Sequence, residues 1–210
     1  MIANHTHCHR PFSFPQLITL ALCLLASACS TTRSGVRSWV DEKTAVTVTA
    51  QQRPMVFYRD DIQSGVNIYD FADLGAFEVN QSGRRTQYLC LVLWSTVTRS
   101  DEHQSKVEDE FSTLVVWADD QPMTFKRFSQ SRDMVHLGDQ AFKRSAANAR
   151  ESYYEVSLAQ LATLAAAKTL RIAPSTQVEG EAPYHAWRDD HASLVAFMNE
   201  VASTDRLINQ

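Results

Sequence analysis

The chain has 210 residues, 44% of them hydrophobic and 21% charged, with 20 Lys and Arg against 24 Asp and Glu. These proportions exclude a collagen-like, low-complexity or wholly disordered chain and predict a single hydrophobic core. The formal charge of −4 lacks the basic excess that general nucleic-acid binding requires, so no nucleic-acid partner is expected.

Residues 1–16 are polar and carry Arg10 with His5, His7 and His9; an apolar run, Leu17-Ile-Thr-Leu-Ala-Leu-Cys-Leu-Leu-Ala26, follows. At about ten residues it has the length of a signal-peptide core and is too short to cross a hydrocarbon layer of about 30 Å as a helix. The run ends in Leu25-Ala26-Ser27-Ala28-Cys29, small residues directly before a cysteine. This stretch resembles the lipobox of bacterial lipoproteins, although Ala26 stands where that family most often has Leu. The resemblance covers residues 1–30 only. It implies that the Cys29 thiol receives a diacylglycerol, that cleavage falls between Ala28 and Cys29, and that the new amine is acylated. Two or three acyl chains give stable membrane attachment, since each buried methylene contributes about 0.8 kcal/mol. Ser30, in place of the Asp that retains such proteins at the inner membrane, implies the outer membrane with the domain facing the periplasm. Ala26-Ser27-Ala28 also satisfies the A-x-A pattern of ordinary signal-peptide cleavage, which would release a soluble chain beginning at the same Cys29. Residues 1–28 are thus expected as signal peptide, 29–44 as lipidated cysteine and flexible tether, and 45–210 as one domain. Loss of the signal peptide removes Arg10 and no acidic residue, which takes the formal charge from −4 to −5.

From Ser30 the composition is polar, with Trp39 expected to pack where the tether meets the domain. Strands are then predicted over 45–49, 55–59, 66–69, 76–79, 85–97, 113–118 and 123–128. Asn80-Gln-Ser-Gly83 and Asp119-Asp-Gln-Pro122 have hairpin chemistry, which implies antiparallel pairing. Leu89 to Trp94 is apolar at successive positions, as in a central strand covered on both faces. A capping box at Ser157 and Gln160 opens a helix with a stripe of Leu158, Leu161, Leu164 and Ala165. A strand at 169–173 stops at Pro174, with 184–188 as its hairpin partner. Asp190 then precedes a second helix carrying Leu194, Phe197, Met198 and Val201. Strands followed by segregated helices predict an α+β fold, an antiparallel sheet or two-layer sandwich covered by two C-terminal helices.

Chemistry is harder to find. Gly-x-Ser-x-Gly, Gly-x-Gly-x-x-Gly, P-loop, His-Glu-x-x-His and Cys-x-x-Cys patterns do not occur, so no catalytic residue, cofactor or metal is predicted. Cys90, the one cysteine beyond Cys29, lies in the most apolar stretch and reads as a core residue. His185 and His191 beside Asp189 and Asp190 read as helix-start chemistry before they read as metal ligands. Charge is the stronger signal: Asp101, Glu102, Glu108, Asp109 and Glu110 crowd one segment, while Lys126, Arg127, Arg132, Lys143, Arg144 and Arg150 dominate another. Arg132, Lys143, Arg144 and Arg150 are the candidate interaction residues, toward an envelope protein or an anionic lipid. The connection 129–148 is long for a hairpin, as functional or mobile loops are. Two function classes follow: a tethered, non-enzymatic binding module, or an envelope hydrolase or small-molecule-binding protein whose site is assembled from non-contiguous residues.

Overall fold

The structure is a computed structural model that describes residues 35–61, 68–98, 100–174 and 183–208. The chain divides into two units, Met1–Arg33 and Ser34–Gln210. The expectations for the signal peptide, Cys29 and Ser30 lie outside the described residues, as do 66–67 of one expected strand.

The fold is α+β and strand-rich, with ten strands in one antiparallel sheet. In chain order these are β1 (Val36–Asp41), β2 (Val46–Gln51), β3 (Met55–Asp61), β4 (Ile68–Gln81) and β5 (Arg84–Ser95), then helix α1 (Asp101–Glu110). Next come β6 (Thr113–Ala118), β7 (Gln121–Ser129), a 3₁₀ turn (Asp133–Val135) and β8 (Arg150–Val156). Helix α2 (Leu158–Ala166), β9 (Leu170–Pro174), β10 (His185–Arg188) and helix α3 (His191–Ile208) complete it. The ladder runs β1-β2-β4-β5-β8-β7-β6-β9, with β3 on β4 and β10 on β3. Two of its three ends approach each other where Ile172 of β9 forms a single antiparallel bridge with Tyr184, the residue before β10, through backbone bonds of 3.3 and 2.9 Å. The sheet is otherwise open along that seam.

Two hairpins have the tight turns that their sequences demand. Ser82 and Gly83, with φ of 52° and 95°, join β4 to β5, and Asp119 and Asp120, with φ of 49° and 67°, join β6 to β7. Positive φ at both central residues matches the right-handed twist of the flanking strands, which is why Gly and Asp occupy these turns. Asn80 Oδ1 accepts from the Gly83 N–H at 2.8 Å. The capping box of α2 is present, with Ser157 accepting from the Gln160 N–H and Gln160 accepting from the Ser157 N–H.

Alternation divides the side chains between two cores. Leu74 and Ala76 of β4, Leu89, Leu91 and Leu93 of β5, Leu114 and Val116 of β6 and Tyr154 of β8 share the inner core with Leu161, Leu164, Leu194, Phe197 and Val201 of the C-terminal helices. Phe77, Tyr88, Cys90, Val92 and Tyr153 point to the opposite face and form a second core with Val46, Val48 and Ala50. Burial of β5 on both faces accounts for its unbroken apolar run.

Several stretches differ from the sequence expectation. No strand is expected over 150–156, where β8 stands, and 184–188, expected as the hairpin partner of 169–173, pairs as β10 with β3, leaving only the Ile172–Tyr184 bridge between them. The 66–69 and 76–79 strands belong to one strand, β4, which pairs with β3 along its first half and with β2 along its second. Residues 36–41, read as tether, pair with β2 as β1, and Trp39 is half-buried against the outer core. The acidic segment after Ser100 is helical, with the Ser100 hydroxyl accepting from the His103 N–H and Asp101 and Glu102 in its first turn. Acidic side chains there oppose the positive end of the helix dipole.

Gly75 of β4 makes the outer core possible, because a Cβ at that position would overlap the ring of Phe142. Gly75→Ala is expected to displace that ring and cost about 1–3 kcal/mol by overpacking. A denaturant midpoint unchanged from wild type would refute this account of the packing.

Candidate functional site

The long connection 130–149 is a built cover over the outer face of the sheet. Val135, Leu137, Ala141, Phe142 and Ala149 are buried against the outer-face residues of β2, β4, β5 and β8. Polar clamps hold it in place. Asp41, buried at the end of β1, accepts the N–H groups of Gly138 and Asp139 through Oδ2 at 2.8 and 3.1 Å, and that of Lys43 through Oδ1 at 3.0 Å. Arg37 donates to the Ala141 carbonyl and lies over the rings of Trp39 and Phe142. Farther along, Ser145 Oγ donates to Asp73 Oδ2 at 2.8 Å, and Trp94 Nε1 donates to Asp73 Oδ1 at 3.0 Å.

On the other side stands α1. Arg127 of β7 donates to the Glu108 carbonyl at 2.8 Å and pairs with Asp109 at 3.6 Å. Arg150, at the start of β8, reaches Gln104 and Asp101 of α1, both at 3.4 Å. Between this helix and the cover lies a polar cleft of about 730 Å³. Its lining includes Arg132, Arg144 and Arg150 together with Glu108, Asn148 and Glu151. Three of the four arginines and lysines singled out in the sequence are therefore brought together, while Lys143 is exposed and does not line the cleft. The acidic and basic segments face each other across it.

Glu151 lies at the centre of this arrangement and was not singled out by sequence. It is 7% exposed and receives the Arg144 Nε at 2.8 Å, the Tyr153 hydroxyl at 2.7 Å and the Arg132 Nε at 3.8 Å. A buried carboxylate left without such partners would cost several kcal/mol. Glu108, in the opposite wall, is pushed above its ordinary value: desolvation leads and the neighbouring Asp109 adds to it, against Arg150, Arg127 and a hydrogen bond from Gln130. Asp73 is also pushed up by desolvation, which its bonds from Trp94 and Ser145 only partly offset.

The cleft adjoins a small apolar pocket of about 40 Å³ that shares Gln104, Asn148 and Arg150 with it and is walled by Phe71, Leu93, Trp94 and Val107. Phe71 and Trp94 stack with centroids 4.2 Å apart and an interplanar angle of 9°. Cys90 is buried, and desolvation, reinforced by the nearby charges of Glu151 and Asp73, holds its thiol well above the ordinary range. A thiol in that state is a poor nucleophile. His185 is exposed on β10; His191 places Nε2 3.1 Å from the Leu164 carbonyl while its N–H donates to Asp189 Oδ1 at 2.9 Å. Among the described residues no group of three or more His, Cys, Asp or Glu could hold a metal ion.

No protein family, curated protein or solved structure matches the chain.

Asp41 supplies a test of the cover. Desolvation raises its pKa, but the backbone N–H groups of Asp139, Gly138, Lys43 and Thr44 outweigh that effect and hold it below the ordinary 3.8. Asp41→Asn is expected to lower the unfolding free energy at neutral pH by about 1–3 kcal/mol, because an amide cannot accept from all of these donors. In the wild type the same contribution is complete above about pH 4 and disappears as the pH falls through the lower folded value, since the unfolded carboxyl takes the proton first. Denaturant unfolding as a function of pH checks both, and a gap between the two proteins that persists at low pH would contradict the assignment.

Proposed function

We propose that the chain is an exported lipoprotein of the bacterial envelope, anchored through acyl chains on Cys29, whose domain is a non-enzymatic binding or accessory module. Ser30 favours the periplasmic side of the outer membrane. The signal-like run and the Ala26-Ser27-Ala28-Cys29 stretch support the address, and the cleft supports the activity. The convergence of Arg132, Arg144 and Arg150 on one cleft between a clamped cover and α1 carries this reading. Guanidinium groups fixed by partner carboxylates offer directed donors without a large ordering cost, which is what selective recognition of an acidic envelope protein or an anionic lipid requires.

Crosslinking in the native cell, followed by identification of what co-purifies, tests both halves. Wild-type chain is expected in the membrane fraction with a specific envelope partner, and Cys29→Ala is expected to leave that fraction and lose the partner. Unchanged processing and partition of Cys29→Ala would remove the lipoprotein reading.

One observation favours a second reading, an envelope hydrolase. Glu108, whose carboxyl is pushed up by desolvation, lines a polar cleft that also holds Glu151, and two carboxyls in different surroundings are the equipment of acid–base chemistry. On that reading Glu108→Gln abolishes turnover of envelope material, with a fall of at least about a hundredfold. As a binding module, the protein keeps its partner after the same substitution, and co-purification with Glu108→Gln separates the two.

A further inference from the structure

One end of the cleft is more specific than a charged surface. Arg144 and Arg132 both approach buried Glu151 through Nε, at 2.8 and 3.8 Å, and Tyr153 occupies the remaining approach with its hydroxyl at 2.7 Å. Among the described residues neither arginine has a protein partner for its Nη groups. Their side chains are 35% and 33% exposed, so these donors are half-withdrawn from water yet still open to the cleft. Two guanidinium groups around one carboxylate leave one unit of positive charge, which a single anionic group would neutralise. Asp101, Glu108 and Asp133 also line the cleft; Asp101 and Asp133 are exposed, so water screens their charge, and Glu108 stands in the opposite wall with Arg150 and Arg127 near it.

We infer that this end of the cleft is an oxyanion site. Arg132 and Arg144 hold a phosphate or carboxylate group of the ligand with their Nη atoms, and Glu151 is the positioning residue that orients both. The planar fork of arginine matches the paired oxygens of such groups, as lysine does not. The apolar pocket that adjoins the cleft at Gln104, Asn148 and Arg150, with Phe71 stacked on Trp94, has room for no more than a small apolar group attached to the anion. The inference rests on the reading of the cleft as a binding site and narrows its ligand to this class.

The test measures binding of inorganic phosphate and of a hexose phosphate to the full chain in detergent, followed through the side-chain nitrogen resonances of its arginines. A second arm floats Cys29→Ala chain with vesicles of phosphatidylcholine, with and without phosphatidylglycerol, so that acyl insertion does not contribute. Phosphate is expected to perturb Arg132 and Arg144. Arg132→Gln, Arg144→Gln and Arg144→Lys should each weaken binding about tenfold, as loss of a charge-assisted bond does. Lys143→Gln, which removes the same charge beside the cleft, should leave binding within about twofold, as an exposed charge does. Binding of the soluble phosphates without flotation assigns a soluble ester, and flotation only with phosphatidylglycerol assigns a lipid headgroup; either supports the site. Equal weakening by Lys143→Gln and Arg132→Gln would reduce the effect to general attraction and overturn the inference, as would absence of binding in both arms. Should Arg144→Gln loosen the cover, Arg132→Gln, whose Nε lies farther from Glu151, still decides. The underlying reading fails separately, if a photo-crosslinker placed at Asn148 captures no envelope component.

Discussion

Burial of a carboxylate on the outer face of β8 is the constraint around which the surface of this domain is organised. Glu151 sits across Val92 from Asp73 in a row that runs over β8, β5 and β4. Both carboxylates are buried, and neither can stay charged there without donors. Strand residues Tyr153 and Trp94 supply one donor each, and two more come from consecutive residues of the cover: Arg144 reaches Glu151 and Ser145 reaches Asp73. Two adjacent residues thus tie residues 130–149 to two strands of the sheet. The cover is held here and, nearer its middle, by Asp41, and the cleft lies between it and α1.

The same constraint explains which parts of the fold were legible. Wherever burial is apolar, period and turn chemistry reveal it: the β5 run, both tight hairpin turns, the capping box of α2 and the stripe of α3 follow from residue type alone. Wherever burial is polar, the pattern is hidden. The 70–75 stretch holds Asp70, Asp73 and Gly75, residues depleted in strands, yet each has a tertiary reason to be there: a salt bridge from Arg59 at 3.7 Å, the bonds from Trp94 and Ser145, and the space taken by Phe142. β8 reads Arg-Glu-Ser-Tyr-Tyr-Glu-Val and contains two buried polar residues, Glu151 and Ser152, so no hydrophobic alternation marks it. Helix α1 has no buried residue, and its only local sign is Ser100 followed by two acids.

Missing β8 is what concealed the centre of the site. Charge patterning singles out Arg132, Arg144 and Arg150 as candidates, but their convergence depends on a strand that places Glu151 among them. Charge patterning could not separate Lys143 from Arg144 either. These neighbours in sequence have opposite fates, because Arg144 turns toward a buried acid while Lys143 faces water. The length of the 129–148 connection was a sound signal with a different cause from the one length usually implies: it is long because it has to cross the outer face of four strands and close a second core.

Side chains from β3 to β9 and from both C-terminal helices fill the inner core, with Tyr154 donating to the Phe111 carbonyl at 2.7 Å within it. The polar cleft, by contrast, is lined by charged and amide side chains that face solvent-accessible space. Under the proposed lipidation, the seven residue-to-residue steps from Cys29 to Val36 span at most about 25 Å when fully extended. A domain held on so short a lead samples only the layer next to the bilayer. A cleft that recognises an anionic group beside an apolar one is suited to that layer, where charged headgroups and the saccharides and proteins attached to them are concentrated.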